Sequence, residues 1–286
     1  MAKAVWNLRY ASHLGYLSLE MPLFKASVGG LDPVAHIRFA AELGLAGVID
    51  PLALMRTAEE QSRIGDALVR HGLEGGTILY APPDIAISPL WGRSDETSSE
   101  RIEGHLQDAF EAARRANSNK IVIVSGCDDA LPRPVQYAAA IRNLRRAGEM
   151  AMRADMLLCV EGISAKTIPG MLFGSLLDTY MVVNAVDCPA VRLVFDTAHV
   201  QSADGDLIAN LERVWDAVGI VQICDSPGRV EPGQGEINMA GILKRIHDRG
   251  YCGLVELEHD WASPGIDAER GYLETLQQMD AQAALP

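Results

Sequence analysis

The stretch "VQICDSPGRVEPGQGEIN" (residues 221–238) runs from a short apolar segment into a long polar loop. Gln222 and Asp225 lie at the end of the apolar part, and the loop carries Arg229, two glutamates, two prolines and three glycines. A connection between a strand and a helix in an α/β protein usually needs about two to six residues. This loop is longer, so it is predicted to contact a ligand as well as to connect two elements.

The same order, an apolar run followed by a segment with helical spacing, occurs eight times along the chain. The apolar runs begin at residues 5, 46, 75, 120, 156, 191, 219 and 253. Eight such alternations in 286 residues predict an α/β fold of the (β/α)8 TIM barrel class. A doubly wound sheet usually has fewer strands and a glycine fingerprint after the first, which this sequence lacks. With no linker-like tract, residues 1–286 are predicted to form a single domain.

The composition indicates which partners are excluded. The net charge of −13 opposes binding to nucleic acid and to anionic lipid, and no segment of about 18 apolar residues could span a membrane. Five cysteines without CxxC spacing are typical of reduced thiols. We therefore expect a cytoplasmic protein whose partner is a small molecule.

Oxygen-bearing side chains end the last four predicted strands. They are Glu161, Asp196, Gln222 and Glu258. In a TIM barrel such positions converge at the carboxyl-terminal mouth, where three carboxylates would repel one another unless a cation neutralised them. The set favours Mn²⁺ or Mg²⁺, with Co²⁺ or Zn²⁺ as alternative occupants. Taken singly, each acid could instead cap a helix or pair with an arginine.

The sequence also resembles a known family, the xylose isomerase-like TIM barrels, and among them the hydroxypyruvate isomerase branch of sugar isomerases and epimerases. The resemblance rests on "VEGISAKTIPGMLF", "FDTAHVQSADGDL", "VQICDSPGRVEPGQGEIN" and "RGYCGLVELEH". It implies that the four strand-end residues ligate the metal and that Glu161 and Glu258 transfer the proton. It also implies that His199 and Arg229 bind substrate.

The chain departs from this branch at three places. Gly162, Ile163 and Ser164 stand where Pro-Ile-Asn is common after the fifth-strand glutamate, and His259 stands where a tyrosine usually follows the last glutamate. "VIDPLAL" replaces an acidic and aromatic cluster after the second strand. The four predicted metal ligands are unaffected by these differences. The identity of the substrate, however, cannot be inferred from the resemblance.

The expected activity is isomerisation or epimerisation of a small sugar or hydroxy keto acid through an enediolate. A lyase, either a dehydratase or a C-glycoside-cleaving enzyme, would use the same site. A multi-zinc DNA-repair endonuclease would need more histidines and a basic face, and a silent sugar-binding barrel would not need both glutamates.

Other residues have weaker predicted roles. Glu231 lies in the opening loop, and His13, at the end of the first strand, could face the pocket. Trp91, in the segment 82–99, could cover substrate, or pack on the barrel rim or against a second subunit of a homo-oligomer. Arg192 and Glu256 are both predicted to point inward and to pair with each other, directly or through a polar group.

Overall fold

The computed structural model describes residues 5–285, which contain one parallel sheet of nine short strands. The strands are β1 (Arg9–His13), β2 (Gly47–Ile49), β3 (Glu74–Gly75), β4 (Ile78–Leu79), β5 (Lys120–Ile123), β6 (Leu157–Val160), β7 (Val191–Asp196), β8 (Val218–Ile223) and β9 (Leu254–Leu257). Their order in the sheet is β3-β2-β1-β9-β8-β7-β6-β5-β4.

The two edges of this sheet belong to a single predicted strand, the third. β3 pairs with β2 and β4 pairs with β5, and only Gly76 and Thr77 separate them. The chain therefore joins both edges and closes the sheet, which confirms the (β/α)8 barrel.

Helices follow the strands and cover the sheet. They are α1 (Lys25–Val28), α2 (Pro33–Glu42), α3 (Ala58–His71), α4 (Pro83–Ala86), α5 (Glu96–Arg115), α6 (Arg133–Ala154), α7 (Leu176–Val186), α8 (Thr197–Ala203), α9 (Leu207–Val214), α10 (Met239–Asp248) and α11 (Ile266–Ala283). Short 3₁₀ turns occupy Ala53–Met55 and Trp215–Ala217. No helix within residues 5–285 is long and apolar enough to cross a lipid bilayer.

The break between β3 and β4 is stabilised from inside the barrel by Glu256 of β9. This fully buried carboxylate accepts hydrogen bonds from the Thr77 amide (3.1 Å), the Thr77 hydroxyl (3.0 Å) and the Gln222 amide (3.2 Å). A Cβ on Gly76 would lie 2.8 Å from a Glu256 oxygen and 2.3 Å from Ile49 Cγ2. Glycine at position 76 therefore lets the carboxylate approach the main chain.

The predicted pairing of Glu256 with Arg192 was wrong. Glu256 is satisfied by Thr77 and Gln222, while Arg192 donates to the main-chain oxygen of Asp216 at 2.7 Å. Arg192 enters β7 near its amino end, so its guanidinium reaches solvent at the opposite end of the barrel from the site.

Two element boundaries also differ from the predicted ones. The apolar run 191–200 is strand only as far as Asp196, after which α8 begins. Apolar residues at helical spacing between Leu207 and Val218 predict one helix over 207–218, but the helix ends at Val214 and Val218 already belongs to β8.

Candidate active site

The four strand-end side chains converge at the carboxyl ends of the strands. Asp196 and Gln222 end neighbouring strands that pair in register, and Glu161 and Glu258 follow β6 and β9 directly. All four are buried. The structure thus brings together the residues that the sequence predicted to meet.

Asp196 also begins a helix. Its Oδ1 accepts a hydrogen bond from the His199 amide (2.8 Å), which makes Asp196 the N-cap of α8. This turn places the His199 ring beside the acids, with Nε2 at 3.6 Å from Glu161 Oε1. Glu161, Asp196 and His199 each offer a ligand atom within 4.8 Å of the others. An imidazole is therefore part of the cluster, in addition to the predicted oxygen set.

The guanidinium of Arg229 lies among these acids. It contacts Glu258 Oε2 at 2.7 Å, Asp196 Oδ2 at 3.1 Å and His199 Nε2 at 3.0 Å. Because arginine can only donate, His199 Nε2 is the acceptor in this contact. Arg229 therefore places one positive charge among these acids.

The loop that carries Arg229 is folded around Asp225. The buried Asp225 carboxylate accepts from the main-chain amides of Ser226 (2.9 Å), Gly233 (2.8 Å) and Ile237 (3.0 Å). Arg229 itself adopts a left-handed backbone conformation, with φ of 52°, and its guanidinium lies over the Tyr16 ring. The loop is therefore an ordered element that positions one cation at the barrel mouth.

Burial and charge set the protonation of the site. Burial, aided by the neighbouring Asp196 charge, raises the pKa of Glu161 to about 8, and burial raises the pKa of Glu258 well above its ordinary value. Burial raises the pKa of Asp196, but the charge of Arg229 and the hydrogen bonds from Arg229 and the His199 amide together outweigh it, so the pKa of that carboxyl lies below its ordinary value. Burial lowers the pKa of His199 to about 4, so the ring is neutral near pH 7 and its Nε2 can act as a ligand.

Two buried polar atoms in the site have no hydrogen-bond partner within residues 5–285. They are Gln222 Oε1 and His199 Nδ1. The Gln222 amide nitrogen donates to Glu256 and Glu258, which leaves its oxygen free to accept. A buried amide oxygen that accepts no hydrogen bond is a ligand type that suits a divalent cation, as are the nearby carboxylates and the neutral imidazole.

Three predicted substrate residues do not line the cavity at the barrel mouth. Trp91 is 0 % exposed and packs edge-on against Tyr80, because the segment around it folds into the core. Glu231 turns away and accepts from the Ala262 amide at 2.8 Å. His13 has both ring nitrogens engaged, by the Gly15 amide and the His259 carbonyl, so it braces the wall.

Other residues of the site were not predicted. Tyr16 lines the cavity three residues after β1 and donates to Asp260 at 2.9 Å. Cys224 Sγ lies 3.6 Å from both oxygens of Asp196. Their positions just beyond strand ends were the signal available in the sequence.

Comparison with known proteins places these features in a family. A family model described as xylose isomerase-like TIM barrel matches residues 37–282. Hydroxypyruvate isomerase of Escherichia coli K12 is 30% identical over 236 residues, covering 81% of this chain and 89% of that protein. The 2-oxo-tetronate isomerase of Pectobacterium atrosepticum is 28% identical, covering 71% and 82%. These relatives support an isomerase-type enzyme.

A solved structure shares the same architecture. It is that of AP endonuclease, family 2, from Brucella melitensis, with a TM-score of 0.78, 24% identity and coverage of 93% of this chain and 98% of the other. At this identity the likeness concerns the fold alone.

Proposed function

Because this chain belongs to the xylose isomerase-like TIM barrel family, we propose that it is a divalent-metal-dependent isomerase or epimerase acting on a hydroxy keto acid or small sugar. The observation that carries the proposal is the convergence of Glu161, Asp196 and His199 within 4.8 Å, with Glu258 joined to Asp196 through Arg229 and to Gln222 by a hydrogen bond. The hydroxypyruvate and 2-oxo-tetronate named for the relatives are both hydroxy keto acids.

Glu161, Asp196, His199, Gln222 and Glu258 would hold the metal. The oxygen donors suit Mn²⁺ or Mg²⁺, and the neutral imidazole also admits Co²⁺ or Zn²⁺. When bound, the ion acts as a Lewis acid that stabilises negative charge on the oxygens of an α-hydroxy carbonyl group.

Glu161 and Glu258 are proposed to move the proton. Both line the cavity, and burial raises both pKa values above the ordinary range of a carboxyl group. A carboxylate works best as a base, and its acid as a donor, when its pKa lies near the working pH. One glutamate would remove the carbon-bound proton and the other would return it, either to the neighbouring carbon or to the opposite face of the same carbon.

Arg229 is proposed to bind a carboxylate or hydroxyl oxygen of the substrate. Its planar guanidinium presents paired donors that match a carboxylate, and it stacks over the Tyr16 ring. His199 contacts the same guanidinium and would complete the polar wall.

The experiment is deuterium exchange. We expect the Mn²⁺-loaded protein to incorporate deuterium from deuterium oxide into hydroxy keto acids or small ketoses, detected by NMR. Glu161→Gln and Glu258→Gln should each lower the exchange rate by about 100-fold or more. The matched control is Glu274→Gln, which changes an exposed residue of α11.

Three results would contradict the proposal. They are absence of exchange in the whole panel, retained exchange in both glutamine variants, and exchange that is unaffected by removal of metal. Release of water or of an aglycone in place of exchange would identify the lyase.

A further inference from the structure

The cavity at the barrel mouth has two chemically different sides. Its volume is about 360 Å³, and the polar residues come from the elements after β6 to β9. The facing side comes from β2, β4 and β5 and is built of Pro51, Ile78, Leu79, Val122 and Val124. Because these strands follow one another around the closed barrel, the apolar half of the ring lies opposite the acids and Arg229.

Hydrogen-bonding side chains on the apolar side are few and mostly engaged. The Thr77 hydroxyl donates to Glu256, and the Tyr16 hydroxyl donates to Asp260. Thr167 also lines the cavity, but it lies in the exposed rim after β6, on the polar side. A polyhydroxylated chain extending across the cavity would therefore lose hydrogen bonds to water without replacing them.

Apolar side chains continue to the rim of the cavity. Leu17 is 65% exposed and Ile87 is 45% exposed, and both line the opening. An apolar group seated between them would remove their surfaces from water. The cavity is also of the size that holds a ligand larger than a three-carbon acid.

Energetics decide which substituent this side accepts. A hydroxyl buried without a partner costs about 1–3 kcal/mol. A buried methylene instead gains about 0.8 kcal/mol, which corresponds to roughly fourfold in binding. The wall therefore favours an alkyl or aryl group over the hydroxylated chain of a sugar.

We propose that the substrate is an α-hydroxy carbonyl compound carrying an apolar alkyl or aryl substituent, which the wall formed by β2, β4 and β5 binds opposite the acids. The inference of an α-hydroxy carbonyl head group depends on the proposed function, whereas the inference of an apolar substituent depends on the residues that line the cavity. Such a substrate differs from the hydroxy keto acids named for the relatives in carrying an apolar substituent.

The test compares substrates that share a head group. Hydroxyacetone is compared with homologues whose terminal methyl is extended to propyl and pentyl, and a ketopentose is compared with the five-carbon hydroxy ketone that lacks its other hydroxyls. Deuterium exchange gives kcat/KM, and calorimetry gives Kd with the Mn²⁺-loaded protein. We expect both to improve about fourfold per buried methylene, which gives about 250-fold for the pentyl compound when all four added methylenes are buried.

Variants at the cavity rim test where the preference for a longer apolar chain arises. Ile87→Ser and Leu17→Ser should each reduce the preference for the pentyl compound over hydroxyacetone by about 3-fold or more. Val69→Ser is the matched control, because Val69 is 65% exposed on α3, away from the cavity. It should leave this ratio unchanged, and all three positions are exposed enough to tolerate serine.

The outcomes separate the two proposals. Exchange with hydroxyacetone and the ketopentose but no gain with chain length overturns the apolar substituent and leaves the proposed function standing. Affinity that rises with chain length, without any exchange, supports the apolar subsite and contradicts the isomerase. Unchanged ratios in both cavity variants overturn the binding of the apolar substituent between Leu17 and Ile87 at the mouth of this wall.

Discussion

At the scale of single residues, Arg229 supplies a positive charge within the acid cluster. Its guanidinium contacts Asp196 and Glu258 directly, and both acids are buried. Removing one partner of a buried ion pair leaves an uncompensated charge and costs about 3–5 kcal/mol. A bound divalent cation would provide the same compensation.

We therefore predict that Arg229→Gln lowers the thermal stability of the metal-free protein and that Mn²⁺ restores it. The rise in Tm on adding Mn²⁺ should be larger in the variant than in the unchanged protein, measured by calorimetry after chelator treatment. Arg93→Gln is the control, because Arg93 pairs with Asp128 at the surface and such pairs contribute about 0–1 kcal/mol. An equal response to Mn²⁺ in the variant and the unchanged protein would contradict the prediction.

The sequence predicted which acids meet, but not what lies between them. Strand-end position and side-chain parity are local properties, so the convergence of Asp196 and Gln222 follows from the fold. The place of Arg229 depends on a loop folding back across the barrel. The sequence left open whether Trp91 and His13 face the cavity, and the orientation of Glu231 was not evident from it. A polar or aromatic residue near a strand end can turn inward or outward, and packing partners far along the chain decide which.

At the scale of elements, the loop after β8 depends on Asp225. Its three main-chain hydrogen bonds lie between 2.8 and 3.0 Å, and hydrogen bonds to a charged group contribute about 1.5–3 kcal/mol each. Asp225→Ala should therefore increase amide exchange in residues 226–237 by at least about 10-fold while the strands stay protected. Hydrogen–deuterium exchange with mass spectrometry measures this.

Asp129→Ala provides the matched control for Asp225→Ala. Asp129 is an exposed acid in another loop at a strand end, between β5 and α6. Its removal should leave protection of residues 226–237 unchanged. Unaltered protection of that loop in Asp225→Ala would show that other contacts hold it.

The length of this loop indicated a role beyond connection, but its internal organisation could not be read from the sequence. The contacts of Asp225 reach as far as Ile237, twelve residues along the chain, and composition does not specify them. The division of the third strand was also unpredicted, because it reflects Glu256 meeting Thr77 across 179 residues.

At the scale of the whole molecule, the barrel was predictable because the same sequence pattern occurs eight times. Eight alternations of apolar run and helical segment constrain the topology even when individual boundaries are inexact, as they are after Asp196 and Val214. The closed ring then determines the cavity, since it sets the apolar ends of β2, β4 and β5 opposite the polar ends of the later strands.

The same closed packing buries tyrosines, and this predicts how global stability depends on pH. Burial raises the pKa of Tyr10, Tyr251 and Tyr272 above the ordinary value of about 10. Above that pH the unfolded chain has lost these protons while the folded chain keeps them. The unfolded state then binds fewer protons, so stability falls as pH rises, by about 1.4 kcal/mol per pH unit for each such tyrosine.

We expect this loss to begin near pH 10 and to continue through pH 11, measured as the free energy of unfolding in guanidinium chloride. Tyr251 donates to the main-chain oxygens of Gly219 and Leu254, so Tyr251→Phe removes one buried phenol and keeps the ring. The slope in this variant should be shallower by about 1.4 kcal/mol per pH unit. A free energy of unfolding that stays constant between pH 9 and pH 11 would mean that these phenols ionise as readily in the folded barrel as in the unfolded chain.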